Sequence, residues 1–230
     1  MDFAESQAVE CEYKFGCPPE QLADIEAVMI AGLAEPDLRE EHRIDTYLDT
    51  PDRRLAEARC QLRLRGRFDG EIKVCFKAPV QIVDDLLVQK ESVLITTDGS
   101  PNLANPFHRR LGPFRSALAV LGQRADLTAL RPIAQMRTLR RSYAVPDPLL
   151  GGEKSVFLAF DRVEARLLEP PRMVRFAEVE VETAGAYPQA LALAATYRAL
   201  ARAEGLAPTV QTKILKALAL GQAAREPAHA

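Results

Sequence analysis

Three short segments of this chain carry a charged residue at every second position. They are VECEYKF near the start, QLRLR in the middle and AEVEVE near the end, and their charged residues are Glu10, Glu12, Lys14, Arg63, Arg65, Glu178, Glu180 and Glu182. Successive side chains of a β-strand point to opposite faces, so each segment predicts a strand with one charged face and one apolar face. A row of carboxylates on a solvent-exposed sheet would only repel itself. Acidic and basic rows that face each other inside a closed barrel explain the pattern better.

The residues between these segments predict about eight strands that helices interrupt. We predict strands over residues 9–15, 43–48, 60–68, 71–77, 86–95, 133–145, 155–165 and 173–182. We predict helices over residues 18–34, 101–128, 187–204 and 208–219, and a hairpin turn at 68–70. Because the strands come in runs and do not alternate with helices, the pattern indicates an α+β fold with an antiparallel sheet.

Composition and charge limit the classes of partner. The 30 Lys and Arg nearly balance the 32 Asp and Glu, so no overall basic field would attract nucleic acid or an anionic membrane. No stretch reaches the ~18 apolar residues of a membrane span. The four cysteines lack zinc-ligand spacing and no apolar leader precedes them, so we expect a cytoplasmic protein with reduced thiols. We also expect one domain over residues 1–220, a disordered tail over 221–230, and a monomer or homodimer.

Strand parity also places the lysines of KVCFKAP. Lys73 and Lys77 share a face with Cys75, as in the other alternating segments. If acidic and basic rows meet inside a closed sheet, neighbouring carboxylates raise one another's pKa and favour a divalent cation between them. Carboxylate oxygens suit Mg²⁺ or Mn²⁺, and the lack of a His or Cys cluster argues against zinc. The basic rows suit phosphate oxygens, which Arg binds through paired hydrogen bonds and Lys as a point charge.

The ordered set of segments resembles the CYTH, or triphosphate tunnel metalloenzyme, superfamily. The opening Glu10-x-Glu12-x-Lys14 is similar to that family's signature. Four later segments resemble the family's later motifs and come in the same order. They are TYLDTPDRRLAEARCQLRLR, KVCFKAP, FAEVEVE and the pair Thr212-Lys213. The resemblance covers roughly residues 8–220. It implies an eight-stranded antiparallel barrel that forms a tunnel, with helices packed outside and at the ends.

The resemblance also implies a role for each matched residue. Phosphate-binding roles fall on Lys14, Arg63, Arg65, Lys73, Lys77, Arg137, Arg140 and Lys213. Metal-side roles fall on Glu10, Glu12, Glu91, Asp161, Glu178 and Glu180, and catalytic roles fall on Glu10, Glu12 and Lys14.

Several of these positions carry a more specific expectation. Arg137 and Arg140 have opposite strand parity, so only one of them faces the tunnel, and we favour Arg140. We expect Glu182 at a solvated rim, and Asp49 as the cap of a turn at Thr50-Pro51 rather than a metal ligand. Lys213 is expected near the start of the last helix, with its side chain reaching over the tunnel mouth, and a solvated helix lysine is the alternative.

Together these features predict a metal-dependent enzyme that hydrolyses a triphosphate. Inorganic tripolyphosphate, cleaved to pyrophosphate and phosphate, is the favoured substrate because the chain has no Trp and few aromatic residues to hold an organic group. Thiamine triphosphate hydrolysis, and cyclisation of ATP as in class IV adenylyl cyclases, would use the same charged rows and stay open. Outside enzymes, the alternative is a module that binds polyphosphate without turnover.

Overall fold

The computed structural model describes residues 5–33, 36–66, 71–96, 115–147, 153–183 and 185–223. Its strands are β1 (Glu5–Cys17), β2 (Asp37–Asp49), β3 (Gln61–Gly66), β4 (Ile72–Val83), β5 (Leu86–Thr96), β6 (Arg131–Asp147), β7 (Glu153–Leu168), β8 (Pro171–Thr183) and β9 (Ala207–Thr209). The first eight follow the order β5-β4-β3-β2-β6-β7-β8-β1, every neighbour is antiparallel, and the pairing of β1 with β5 closes the barrel. The predicted α+β class and closed eight-stranded barrel are confirmed.

Helices surround this barrel. The α-helices of the described residues are α1 (Leu22–Ile30), α2 (Arg54–Glu57), α3 (Arg115–Arg124), α4 (Pro188–Ala203) and α5 (Lys213–Ala223). A short 3₁₀ helix at Leu127–Ala129 precedes β6. Within the described part of the chain, no helix combines the length and the apolar content that crossing a membrane requires.

Two apolar clusters cover the outside of the barrel. In the first, Phe15 of β1 and Val179 of β8 pack under α1 and α4. In the second, Leu62 of β3 and Phe76 of β4 pack against Leu121 of α3. Removing these apolar faces from water stabilises the arrangement. The apolar half of each alternating strand therefore faces the helices, and the charged half faces the interior.

A third apolar cluster fills one end of the barrel interior. Met136 of β6 and Val163 of β7 are buried there, on the inner side of their strands. Helix α5 packs Ile214 and Ala217 against them. Helix α5 therefore closes this end of the barrel as a packed plug, which limits the polar part of the tunnel to the remaining length.

The C-terminal elements differ from the sequence prediction. Residues 207–209 form β9, because they pair with residues 14–16 of β1, whereas the last helix was predicted to begin at residue 208. The helix begins after Thr212, whose hydroxyl accepts a hydrogen bond from the backbone N–H of Leu215 at 3.4 Å. It continues to Ala223, so residues 221–223 of the predicted tail are helical. Gly221 lets this last part of the helix pack closely against Leu167 of β7, because an added Cβ would come within 2.3 Å of a leucine methyl group.

Other helix boundaries differ from the sequence prediction for local reasons. Helix α1 is shorter than the predicted 18–34, because Gln21 first closes a turn onto the carbonyl of Pro18. Helix α2 was not predicted; buried Asp49 caps it by accepting hydrogen bonds from the backbone N–H groups of Leu55 and Ala56, which confirms its expected capping role. The predicted turn at 68–70, residues 101–114 of the predicted helix and residues 224–230 of the predicted tail lie outside the described residues.

Candidate active site

The charged strand faces meet in one cavity of about 140 Å³ inside the barrel, here called the tunnel cavity. The residues singled out from the sequence that line it are Glu10, Glu12, Lys14, Arg63, Arg65, Lys73, Lys77, Glu91, Arg140, Glu180, Glu182 and Lys213. Arg43, Tyr47 and Gln61 complete the lining. Among the described residues, eight cationic side chains and five carboxylates line the cavity, so its field attracts anions.

Three carboxylates, here called the acidic cluster, converge on one side of the tunnel cavity. One oxygen each of Glu12, Glu180 and Glu182 lies within 4.8 Å of the other two. The register of β1 and β8 explains this, because it places Glu12 opposite Glu182 and Lys14 opposite Glu180. Carboxylate oxygens are preferred ligands of Mg²⁺ and Mn²⁺, so the donor set fits the predicted cation.

The three carboxylates differ in their electrostatic environment. Burial raises the pKa of Glu182 to about 7; Arg140 opposes this effect and the neighbouring carboxylates add to it. Burial also raises the pKa of Glu12. At Glu180, burial is outweighed by Lys14 and two further cations, which hold the pKa well below its usual range. Glu180 is therefore ionised at neutral pH, whereas Glu182 is poised between its two protonation states in the metal-free protein.

Lys213, the first residue of α5, points into the barrel and is buried. Its Nζ lies 2.9 Å from Asp161 and 3.2 Å from Glu178, and it donates a hydrogen bond to Glu180. Burial would lower the pKa of Lys213, but these carboxylates raise it overall. The side chain of Lys213 therefore reaches the tunnel cavity from the start of the helix, as expected, although it enters at a barrel end that α5 plugs. The alternative of a solvated lysine is wrong, because the ammonium is buried.

Arg140 of β6 joins two of the acidic strands. It donates two hydrogen bonds to Asp161 of β7, at 2.7 and 2.6 Å, and another to Glu180 of β8. Its third nitrogen lies 3.4 Å from Glu182. The guanidinium therefore touches two members of the acidic cluster while Asp161 fixes its plane.

The opposite wall of the tunnel cavity is built on β3, β4 and β5. Lys77 donates a hydrogen bond to Glu10 and lies 3.9 Å from Glu91. The thiol of Cys75 donates a hydrogen bond to Glu91 at 2.6 Å. Burial would raise the pKa of Glu91, but Lys77, Cys75 and Arg63 outweigh it and lower the pKa to about 2. Glu91 is therefore a fixed countercharge of this basic wall.

Asp45 of β2 holds the paired arginines of β3. Arg65 donates two hydrogen bonds to its carboxylate, both at 2.7 Å, and Arg63 lies 3.7 Å away. Burial opposes ionisation of Asp45, but the two arginines outweigh it and lower the pKa. One carboxylate therefore holds in place two guanidinium groups that line the tunnel cavity.

Comparison with known proteins adds a family to this geometry. A sequence model of the CYTH domain matches residues 8–217. The chain belongs to the CYTH domain family. A candidate adenylate cyclase from Bacillus halodurans has a similar fold, with a TM-score of 0.57 and 14% identity over 91% of this chain and 97% of that one. A candidate adenylyl cyclase from Hippeastrum, with a dominant triphosphatase activity, also has a similar fold. Its TM-score is 0.57, with 17% identity over 89% of this chain and 93% of that one. A comparison with curated proteins finds no match.

In this CYTH domain, the phosphate-binding role implied for Arg137 and the rim position expected of Glu182 need correction, whereas the preference for Arg140 over Arg137 agrees with the structure. Arg137 is exposed on the outer side of β6, where it lines a surface groove with Leu139 and Arg162, so only Arg140 of the two enters the tunnel cavity. Glu182 does not lie at a solvated rim, since 21% of its side chain is exposed and it belongs to the acidic cluster. Its pairing with Glu12 near the end of β8 keeps it on the tunnel side.

Four predicted metal-side residues lie apart from the acidic cluster. Asp161 and Glu178 are fully buried beside Lys213, Glu10 of β1 accepts a hydrogen bond from Lys77, and Glu91 belongs to the opposite wall. Over the residues that the structure describes, the one group of three carboxylates close enough to share a cation includes none of them. Their contacts favour a role in positioning cationic side chains, and the assigned roles of all the site residues remain predictions.

The sequence reasoning did not single out five residues in or beside this CYTH domain's cavity, which are Arg43, Asp45, Tyr47, Gln61 and Gln89. Asp45 and Tyr47 lie at alternate positions of the predicted strand 43–48, so parity alone could have found them. The hydroxyl of Tyr47 is buried and has no hydrogen-bond partner among the described residues. Gln89 donates hydrogen bonds to both Glu10 and Glu12. Its signal was weaker, because a single amide side chain in a strand is equally typical of a solvent-exposed face.

Proposed function

We propose that this CYTH domain uses a divalent cation to hydrolyse a triphosphate, and that inorganic tripolyphosphate is a substrate. One observation carries the proposal: the acidic cluster and the basic wall line the same small cavity. A metal site without the basic wall would not select a polyanion, and a basic cavity without the acidic cluster would bind phosphate with no place for a cation. The likeness of the fold to proteins described as cyclases and triphosphatases supports the same class of ligand.

The basic residues of the cavity would bind the phosphate oxygens. Arg63 and Arg65 would contribute guanidinium charge to phosphate binding, and Asp45 holds both groups in place. Lys77 adds a point charge from the next strand, and Arg140 adds a guanidinium from the opposite side. Because these groups come from both walls, a chain of three phosphates would contact several of them at once, whereas orthophosphate would reach only a few.

The acidic cluster would hold the Mg²⁺ or Mn²⁺. The bound cation would neutralise phosphate oxygens and the charge that develops as a phosphoanhydride bond breaks. Lys14 lies 3.4 Å from Glu12 and 3.1 Å from Glu180, so it balances these carboxylates while the cluster is metal-free.

Glu10 is our candidate for orienting the attacking water, because it lies beside the acidic cluster and its side chain is 19% exposed. Oxygen from this water would bond to the terminal phosphorus as the bond to the bridging oxygen breaks, and pyrophosphate would leave. Lys77, which donates a hydrogen bond to Glu10, fixes the direction of that carboxylate. No covalent intermediate with the protein is needed.

The test is phosphate release from tripolyphosphate, ATP and thiamine triphosphate in parallel, each with Mg²⁺, with Mn²⁺ and with chelator. We expect cation-dependent release from tripolyphosphate. Cyclic AMP formed from ATP would instead favour a cyclase, and tight binding of tripolyphosphate with no product would favour a binding module. The expected cytoplasmic location and the choice between monomer and homodimer remain predictions.

A further inference from the structure

One part of the outer barrel surface, here called the arginine face, is left uncovered by the described helices. It lies on the outside of β2, β6, β7 and β8, whose inner side holds the third apolar cluster. By strand parity it consists of His42, Ile44, Thr46, Gln135, Arg137, Leu139, Arg162, Glu164, Arg166, Met173 and Arg175. A surface groove of about 530 Å³ crosses it. The other two outer faces are covered by α1 and α4 and by α3.

The strand register places four arginines of this face around one carboxylate. Glu164 lies opposite Arg137 of β6 and opposite Arg175 of β8. Arg162 and Arg166 lie two residues before and two residues after it on β7, so they point to the same side. Arg175 donates hydrogen bonds to Glu164 at 3.0 and 2.7 Å. Four guanidinium groups against one carboxylate leave the arginine face with an excess of positive charge.

Exposed apolar side chains lie among these charges. Ile44 of β2 lies opposite Arg137 and is 59% exposed. Met173, two residues before Arg175 on β8, is 50% exposed, and Leu139 lines the groove. A patch of exposed apolar residues rimmed by polar ones marks a site of contact with another molecule. Arginine and methionine are enriched in protein interfaces and lysine is depleted, and the arginine face contains no lysine.

The composition of the arginine face favours an acidic peptide over other polyanions. Single-stranded nucleic acid is held by aromatic side chains that stack on its bases, and the arginine face has no aromatic ring apart from His42. Polyphosphate has no apolar group to cover Ile44 or Met173. The chain itself offers no matching segment, because each of its stretches outside the described residues contains at most one Asp or Glu.

We propose that the arginine face docks an acidic amphipathic helix of a partner protein. Its carboxylates would pair with Arg162 and Arg166, and its apolar residues would cover Ile44 and Met173. Four strands span about 15 Å, which suits the ~10–12 Å diameter of a helix with its side chains. The partner would thus cover this face as the chain's own helices cover the others. The side chains of the face point away from the tunnel cavity, so this inference does not rest on the proposed function.

The test begins with a random display library of peptides of about 16 residues, a little over four helical turns, selected on the immobilised full-length protein. We expect the recovered sequences to carry Asp or Glu along one side of a helix, beside a stripe of Leu, Ile or Phe. The most strongly enriched peptide is then synthesised with a fluorescent label. Its Kd is measured by fluorescence anisotropy for the wild-type protein and for single variants.

Substitutions in the arginine face should weaken binding of the selected peptide. Arg162→Glu and Arg166→Glu should each raise its Kd at least about tenfold, because repulsion replaces an attractive contact. Ile44→Ala should raise the Kd about threefold, through a loss that added salt does not mask. Arg54→Glu, at an exposed position of α2 outside the face, makes the same change in net charge and should alter the Kd by less than about twofold.

Four results would overturn this proposal. They are recovery of no acid-rich peptides, equal peptide binding by the wild type and Arg162→Glu, tighter binding of oligothymidine or long-chain polyphosphate at the same arginines, and self-association of the wild type that Arg162→Glu abolishes. The last two would assign the face to another polyanion or to a second copy of the chain. Melting temperatures show whether each variant is folded. Tripolyphosphate binding should be unchanged within about twofold in all of them, because none of these residues lines the tunnel cavity.

Discussion

Arg140 and Asp161 face each other on neighbouring strands and share two hydrogen bonds, at 2.7 and 2.6 Å. Asp161 is fully buried, and its other close contact is Lys213 at 2.9 Å. Both of these cations also contact Glu180 of the acidic cluster. Asp161 therefore fixes two cations against the candidate metal site, and its oxygens are already used by side chains.

The first prediction follows from this pair. Asp161→Asn should lower the free energy of unfolding by about 3 kcal/mol, because it leaves two buried cations short of countercharge. It should also weaken tripolyphosphate binding, since Arg140 loses its fixed plane. Urea unfolding and calorimetry measure the two effects. Glu164→Gln, on the same strand but in an outward ion pair with exposed Arg175, is the control and should cost less than about 1 kcal/mol. Equal losses of unfolding free energy for the two variants would reject the role of Asp161 in positioning Arg140.

The second prediction contrasts two members of the acidic cluster. Glu180→Gln should destabilise the metal-free protein by about 3 kcal/mol, since Lys14, Lys213 and Arg140 all depend on its charge. Glu182→Gln should stabilise it by about 1–2 kcal/mol at pH 8. Because folding raises the pKa of Glu182 to about 7, its ionisation costs stability that accumulates as pH rises from about 4.5 to 7. Both variants should bind Mg²⁺ more weakly. A stabilising Glu180→Gln change or a destabilising Glu182→Gln change would show that the charge balance is misassigned.

The third prediction concerns the plug helix. Lys213→Ala should lower the free energy of unfolding by about 3–5 kcal/mol, because it leaves Asp161, Glu178 and Glu180 buried with less countercharge. Chemical denaturation measures the loss. Gln211→Ala changes an exposed side chain just before the helix and should cost less than about 1 kcal/mol. A Lys213→Ala variant as stable as the wild type would restore the interpretation of a solvated lysine.

The fourth prediction uses the pH dependence of stability. Folding lowers the pKa of Glu91 to about 2, so this group stabilises the fold above about pH 4.5 and loses that contribution as pH falls toward 2. Glu91→Gln should therefore be less stable than the wild type at pH 7, by up to about 3 kcal/mol, and the gap should close on acidification. Glu204→Gln, at an exposed site, is the control and should change the free energy of unfolding at pH 7 by less than about 1 kcal/mol. A difference that stays constant with pH would mean that Glu91 acts through packing.

Strand parity predicted most of the tunnel cavity. The two-residue period of a strand fixes which side chains share a face, so Glu12, Lys14, Arg63 and Lys77 could be grouped before any contact was known. Parity also separated Arg140 from Arg137. The closed barrel followed from the same argument, because a charged strand face can be buried only where it meets a face of opposite charge.

Long-range pairing decided the features that sequence did not predict. Strand β9 exists because residues 207–209 add to the edge of β1, which no local pattern reveals. The inward direction of Lys213 depends on where that strand ends and where Thr212 begins the helix. The alignment of Ala144, Phe157 and Glu182 across the barrel wall depends on the register of three strands.

Removal of the cation gives a fifth prediction. With excess chelator, hydrolysis of tripolyphosphate should fall to the rate without protein, since phosphate oxygens and the breaking bond would lose their neutralising charge. Restoring Mg²⁺ or Mn²⁺ should recover the rate. Binding of tripolyphosphate should survive chelation, because the basic wall does not depend on the metal. If chelation abolished both tripolyphosphate binding and hydrolysis, the metal would have to be part of the phosphate site itself.

Phosphorus NMR of tripolyphosphate incubated with wild-type protein and Mg²⁺, beside the Glu12→Gln variant, tests the central claim most directly. We predict that wild-type protein forms pyrophosphate and orthophosphate in equal amounts, and that Glu12→Gln slows this at least about a hundredfold while remaining folded. Unchanged tripolyphosphate with the wild type, or an undiminished rate in the variant, would contradict the assignment of the acidic cluster and basic wall as one hydrolytic site.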